Sequence, residues 1–179
     1  MIKNVLFLFL SCFVLLSCKD SVEPEAENEL ITTVKLSFAA GGKTLVYFYK
    51  DLDGDGGKMP VIDKIALSPN TDYLVSTEFL DESKTPAVSI TEEILKEAAE
   101  HLVIYTPSSP NLGIFTYSDK DKNGFNIGLK GNFKTNTAQN GSLKVQLRHQ
   151  PEVNGKRVKD GSITPGSDDV NISFTVEIK

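Results

Sequence analysis

The sequence predicts an all-β fold: an antiparallel, Ig-like β-sandwich of about eight strands with one short connecting helix. Two late segments carry the clearest period of two. Leu143, Val145 and Leu147 alternate with Lys144, Gln146 and Arg148, and Val170, Ile172, Phe174, Val176 and Ile178 alternate with Asn171, Ser173, Thr175 and Glu177. Each therefore has one dry and one wet face, as an antiparallel strand over a core requires. Turn pairs recur at Asn123-Gly124, Asn140-Gly141, Asn154-Gly155, Asp160-Gly161 and Pro165-Gly166, too often for the long crossovers of a parallel sheet. Only one segment has the composition of a helix.

In chain order, period two begins at Leu30. Val34, Leu36 and Phe38 alternate with Thr33, Lys35 and Ser37, and a denser apolar run over 43–50 follows Gly41-Gly42, so the two runs read as a hairpin. Tyr47, Phe48 and Tyr49 in succession predict a central strand buried on both faces. Further strands are expected over 61–67, 73–80, 102–106, 112–117 and 125–133. Between them, Ser89 and Glu92 have the spacing of a capping box, Glu92 and Glu93 fall in the first turn, and good helix formers follow. This predicts a helix of about three turns. Ile90, Ile94, Leu95 and Ala98 would form its core face, and His101 would sit at its end, where exposed carbonyls favour a cation.

The chain before Leu30 has a different character. Lys3 precedes an apolar stretch too short for a transmembrane helix, so residues 1–17 read as a signal peptide. Its end, Leu15-Leu16-Ser17-Cys18, resembles the lipobox of bacterial lipoproteins. That resemblance implies cleavage before Cys18, acylation of Cys18 as a membrane anchor, and an outer-membrane location on the periplasmic or cell-surface side. Residues 18–29 contain five acids and one proline, and read as an acidic tether. Residues 30–179 form a single domain, since about 160 mature residues suffice for one core.

The whole chain carries a net charge of −5, which argues against nucleic acid as a partner because that affinity is built from Lys and Arg on phosphates. The two cysteines lie at positions 12 and 18, so the mature domain has no disulfide and must rely on packing, on metal, or on both. Common nucleophile, phosphate-loop and His-x-x-x-His zinc signatures are absent from the sequence, so the expectation is no enzyme.

Two loops share one skeleton. Asp51, Asp53 and Asp55 before Gly56, and Asp119, Asp121 and Asn123 before Gly124, place oxygen ligands at positions 1, 3 and 5 and glycine at 6. That spacing suits calcium, although the glutamate expected at position 12 is replaced by Ile62 and Lys130. Asp63, Glu82 or Asp168 and Asp169 would complete such sites. The alternative is that Asp, Asn and Gly are simply what turns are made of. A second metal reading rests on the two histidines, His101 and His149. A transition-metal site using both requires them to be neighbours in space with a third ligand.

Several blocks together, Asp51 to Gly56, Phe79-Leu80-Asp81-Glu82-Ser83, Ile90-Thr91-Glu92-Glu93 with His101 downstream, Asp119 to Gly124 and Leu147-Arg148-His149, resemble a family of small flavobacterial (Bacteroidota) cell-envelope lipoproteins. Members are often labelled as a type 1 periplasmic-binding fold, a two-domain α/β structure, whereas the pattern here is antiparallel β. The resemblance implies no catalytic residues. The expected function is a lipid-anchored, non-catalytic binding or structural module, calcium-stabilised through its loops. Its protein or glycan partner is not specified by the sequence. The alternatives are a metal-handling lipoprotein using His101 and His149, and a small hydrolase with carboxylate chemistry.

Overall fold

The computed structural model describes residues 30–54 and 56–179. The signal peptide, Cys18 with its tether, and Asp55 fall outside the described residues. The elements are β1 (Thr33–Ala40), β2 (Lys43–Lys50), β3 (Val61–Ile62), β4 (Ile65–Leu67), β5 (Asp72–Asp81), β6 (Val88–Ser89), α1 (Ile90–Lys96), β7 (His101–Pro107), β8 (Gly113–Tyr117), β9 (Lys130–Thr135), β10 (Gln139–His149) and β11 (Ser167–Ile178). They form an all-β sandwich. One sheet runs β3-β2-β1-β5-β9-β8 with β6 added at the end of β5, and the other runs β4-β11-β10-β7. Among the described residues, no helix is long and apolar enough to cross a membrane.

The β1–β2 hairpin closes on Gly41 and Gly42, whose φ values of 55° and 76° are the left-handed pair that a two-residue hairpin turn demands. The alternating residues of β1, β5 and β9 meet those of β10 and β11 in a single core. Phe38 lies at its centre, edge-to-face with Tyr47, Tyr73 and Phe133 at 6.0, 6.0 and 6.3 Å. Each such fully buried side chain contributes about 1.5–3 kcal/mol by leaving water.

Four local expectations are corrected. The apolar run 61–67 is two strands in different sheets: β3 pairs with β2, and β4 pairs with β11 in parallel, which makes the second sheet mixed rather than purely antiparallel. The switch is made at Asp63, whose carboxylate accepts the Phe48 amide at 2.8 Å while its own amide donates to the Phe48 carbonyl at 2.9 Å. Next, β2 is not buried on both faces: its first four residues are exposed and its last four only half-buried, and on its outer side only the two-residue β3 pairs with it. Tyr47 and Tyr49 pack on the core, while Phe48 turns away beneath the Lys50 ammonium.

Third, α1 covers seven residues, and Ser89 belongs to β6 and makes no side-chain cap. Thr91 ties the helix start down instead, its hydroxyl accepting from the Phe79 amide at 2.8 Å. With so short a helix only Ile90 and Ile94 are buried, Leu95 is 54% exposed, and His101 opens a strand rather than closing the helix. Finally, the strand expected over 125–133 begins only at Lys130. Residues 125–129 instead lie along the free edge of β7, where the Val103 amide donates to the Ile127 carbonyl at 2.7 Å.

Candidate functional site

Antiparallel pairing of β7 with β10 brings the first residue of one opposite the last residue of the other, and those residues are His101 and His149. Both continue the inward-facing columns of their strands, Val103 and Tyr105 on β7 and Leu143, Val145 and Leu147 on β10. They therefore lie where the core runs out at one end of the sandwich. The rings stack nearly parallel, 6° apart in plane with centroids 4.7 Å apart.

The pair is surrounded by carboxylates. Glu97, in the turn after α1, has a carboxylate oxygen that with one nitrogen of each histidine forms a group of three ligand atoms, all within 4.8 Å of one another. Asp169 Oδ2 lies 4.0 Å from His101 Nε2, and Glu100 Oε2 lies 3.8 Å from His149 Nε2. Asp169 arrives there through a β-bulge: Leu147 pairs with Val170 but Arg148 with Asp168, so Asp169 is the extra residue.

The backbone beneath the pair is held firmly. His101 Nδ1 lies 3.2 Å from the Glu97 carbonyl oxygen. A carbonyl only accepts, so Nδ1 carries the proton and Nε2 is left with the lone pair. Burial lowers the His101 pKa below the usual histidine value, with the nearby Glu97 carbonyl opposing that shift. The imidazole is therefore neutral at pH 7. Burial also raises the Asp169 carboxyl, and Asp168 adds to that effect.

Lys159, fully buried, donates from its ammonium to the Ala98 carbonyl at 2.8 Å and the His101 carbonyl at 2.7 Å, and pairs with the Asp121 carboxylate, Oδ2 lying 3.0 Å away. Behind His149, the Arg148 guanidinium donates to Asp168 and to the carbonyls of Thr164, Pro165 and Gly166, folding the 160–166 loop against the strand. Gly166 adopts φ +81°, and a Cβ there would come within 1.9 Å of the His149 carbonyl oxygen.

The two acidic loops are placed differently. In the second, Asp119 accepts the amides of Gly128 at 2.8 Å and Lys130 at 2.9 Å, and Asp121 accepts those of Asn123 at 2.8 Å and Phe125 at 3.0 Å besides pairing with Lys159. Burial alone would raise the Asp121 carboxyl, but Lys159 and these amides outweigh it and hold it below the usual carboxylate range. Its cationic neighbour is thus an ammonium supplied by the chain, and its amide bonds position the 125–129 segment on the β7 edge. In the first loop, Asp53 Oδ2 accepts only a long 3.4 Å contact from the Lys58 amide, and Asp51 Oδ1 is buried without a hydrogen-bond partner among the described residues. Glu82 and Asp63, the candidate extra ligands, bond to Thr33 and Lys50 and to the Phe48 amide respectively.

The sequence offered His101 and His149 as a pair but not their register, which depends on pairing between residues far apart in the chain. Glu97 was visible only as an acid four residues before His101, and Glu100 had no distinguishing signal. Asp169 was legible as an acid but not as the residue a bulge turns toward His101. Searches against protein-family models, curated proteins and solved structures each return no match.

Proposed function

We propose that the chain is a lipid-anchored, non-catalytic binding module of the bacterial outer membrane that takes its ligand at the sandwich end carrying Glu97, His101 and His149. The observation supporting the binding end is the convergence of two imidazoles and a carboxylate within 4.8 Å, on a backbone fixed by Lys159 and Arg148. Supporting groups of this kind are what a rigid first layer of ligands requires. The anchor rests on the lipobox-like Leu15-Leu16-Ser17-Cys18 and the acidic tether that follows. Fractionation of cells producing the wild type and Cys18→Ala tests it. The wild type goes to the membrane fraction, whereas Cys18→Ala leaves it; retention of the variant contradicts the anchor.

A second reading, calcium at the 51–56 loop, is favoured by the buried, unbonded Asp51 Oδ1. It predicts a higher melting temperature in calcium than in chelator, and identical melting curves would remove it.

A further inference from the structure

We propose that Glu97, His101 and His149 bind one divalent transition-metal ion of the zinc or copper(II) class, with Asp169 as the fourth donor. This names the ligand of the binding end proposed above and rests on that reading.

The donor set selects the class. Two imidazoles and carboxylates suit zinc, copper(II) and nickel, whereas calcium and magnesium take oxygen ligands and soft copper(I) takes sulfur. The geometry is close to what such an ion needs. Bond lengths of about 2.1 Å place tetrahedral donors about 3.4 Å apart, against the 4.8 Å limit that encloses the three ligand atoms. Parallel imidazoles aim their lone pairs side by side rather than at one point. The exposed Glu97 and the half-buried His149 supply the closing movement by side-chain rotation, around a His101 that stays in place.

His101 is prepared as the fixed ligand. Its Nδ1 faces the Glu97 carbonyl, the arrangement that metal-binding histidines use to present the other nitrogen. Its carbonyl is tied by Lys159, and its Nε2 faces the bulge residue Asp169 at 4.0 Å. Glu97 is exposed, so an ion reaches the group from solvent. Glu100 places a further carboxylate beside the group, 3.8 Å from His149 Nε2.

The test uses the full-length acylated protein in detergent, stripped with chelator and titrated calorimetrically with zinc chloride, copper sulfate and, as a control, calcium chloride. One zinc or copper ion should bind per chain with a dissociation constant of about 1 μM or tighter. His149→Gln and His101→Ala should each weaken binding about 100-fold, and Glu97→Gln and Asp169→Asn about tenfold. Calcium should not compete.

Because His101 is buried and its variant can misfold, His149→Gln and Glu97→Gln carry the decision, each checked for an unchanged urea midpoint without metal. If neither ion binds, or if the folded His149→Gln and Glu97→Gln variants bind as the wild type does, the site is refuted. A refuted site in a protein that still fractionates with membranes in a Cys18-dependent way leaves the anchored module standing and removes only the metal.

Discussion

Lys159→Met is the most informative perturbation of the fold that supports the site. The ammonium and the Asp121 carboxylate are both fully buried as side chains, 3.0 Å apart, and the ammonium also serves the carbonyls of Ala98 and His101. Methionine fills a similar volume, so little cavity is created, but it leaves Asp121 as a buried carboxylate whose cation has gone. Removing one partner of a buried pair costs about 3–5 kcal/mol, because the remaining charge has lost its counterpart. With a urea m-value of about 2 kcal/mol/M, the unfolding midpoint should fall by about 2 M. Asp121→Asn in the same background removes the stranded charge while keeping an oxygen for the amides of Asn123 and Phe125. The double variant should therefore be more stable than the sum of the two single losses predicts, with a coupling of about 1–3 kcal/mol. A Lys159→Met loss below about 1 kcal/mol, in the range of a surface pair, would refute the reasoning.

Other consequences concern the core, the loop behind the site and acid. Phe38→Ala removes the ring that meets three aromatic neighbours and should cost about 3–5 kcal/mol in urea unfolding. Gly166→Ala places a methyl against the His149 carbonyl at a left-handed φ, so it should lower stability by about 1–3 kcal/mol. The same variant should displace His149, seen as altered imidazole resonances in NMR spectra. For acid, the native Asp121 carboxyl lies below its ordinary value, so below about pH 4 the unfolded chain binds the proton more readily than the folded one. Its contribution is complete above that pH and is lost as the pH falls through the lowered native value. Asp121→Asn should accordingly flatten the acid limb of the stability curve, by at most the roughly 1.4 kcal/mol per pH unit that one proton carries, measured by urea titrations between pH 5 and about 2.

The fold was legible where local chemistry and global pairing agree. Gly41-Gly42 marked the β1–β2 turn, and the alternation of β10 and β11 is the alternation seen in the core. It was illegible where a short apolar run has two ways to pair. Nothing in Val61-Ile62-Asp63-Lys64-Ile65-Ala66-Leu67 says that Asp63 marks a change of sheet, because hydrophobicity reports burial and not which neighbour provides it. The helix was overextended for a related reason: Glu97 to Glu100 have good intrinsic propensity, yet β pairing of His101 with His149 and the Lys159 bonds to Ala98 and His101 claim that backbone. In the 119–124 loop, the spacing that suits calcium also suits capture of backbone amides. A lysine distant in sequence, Lys159, supplied the positive charge there. At the binding end, both histidines were readable as residue types, while their contact depended on strand register and on a bulge that no short motif encodes.

The central claim is that the end of the sandwich carrying the two histidines takes a zinc-class metal ion. An anomalous difference map from crystals grown with zinc, recorded on both sides of the zinc edge, tests this most directly. A zinc-specific peak about 2.1 Å from nitrogens of His101 and His149 and from an oxygen of Glu97 is the predicted result. A map with no peak there, or with zinc held only at other places on the molecule, contradicts the claim.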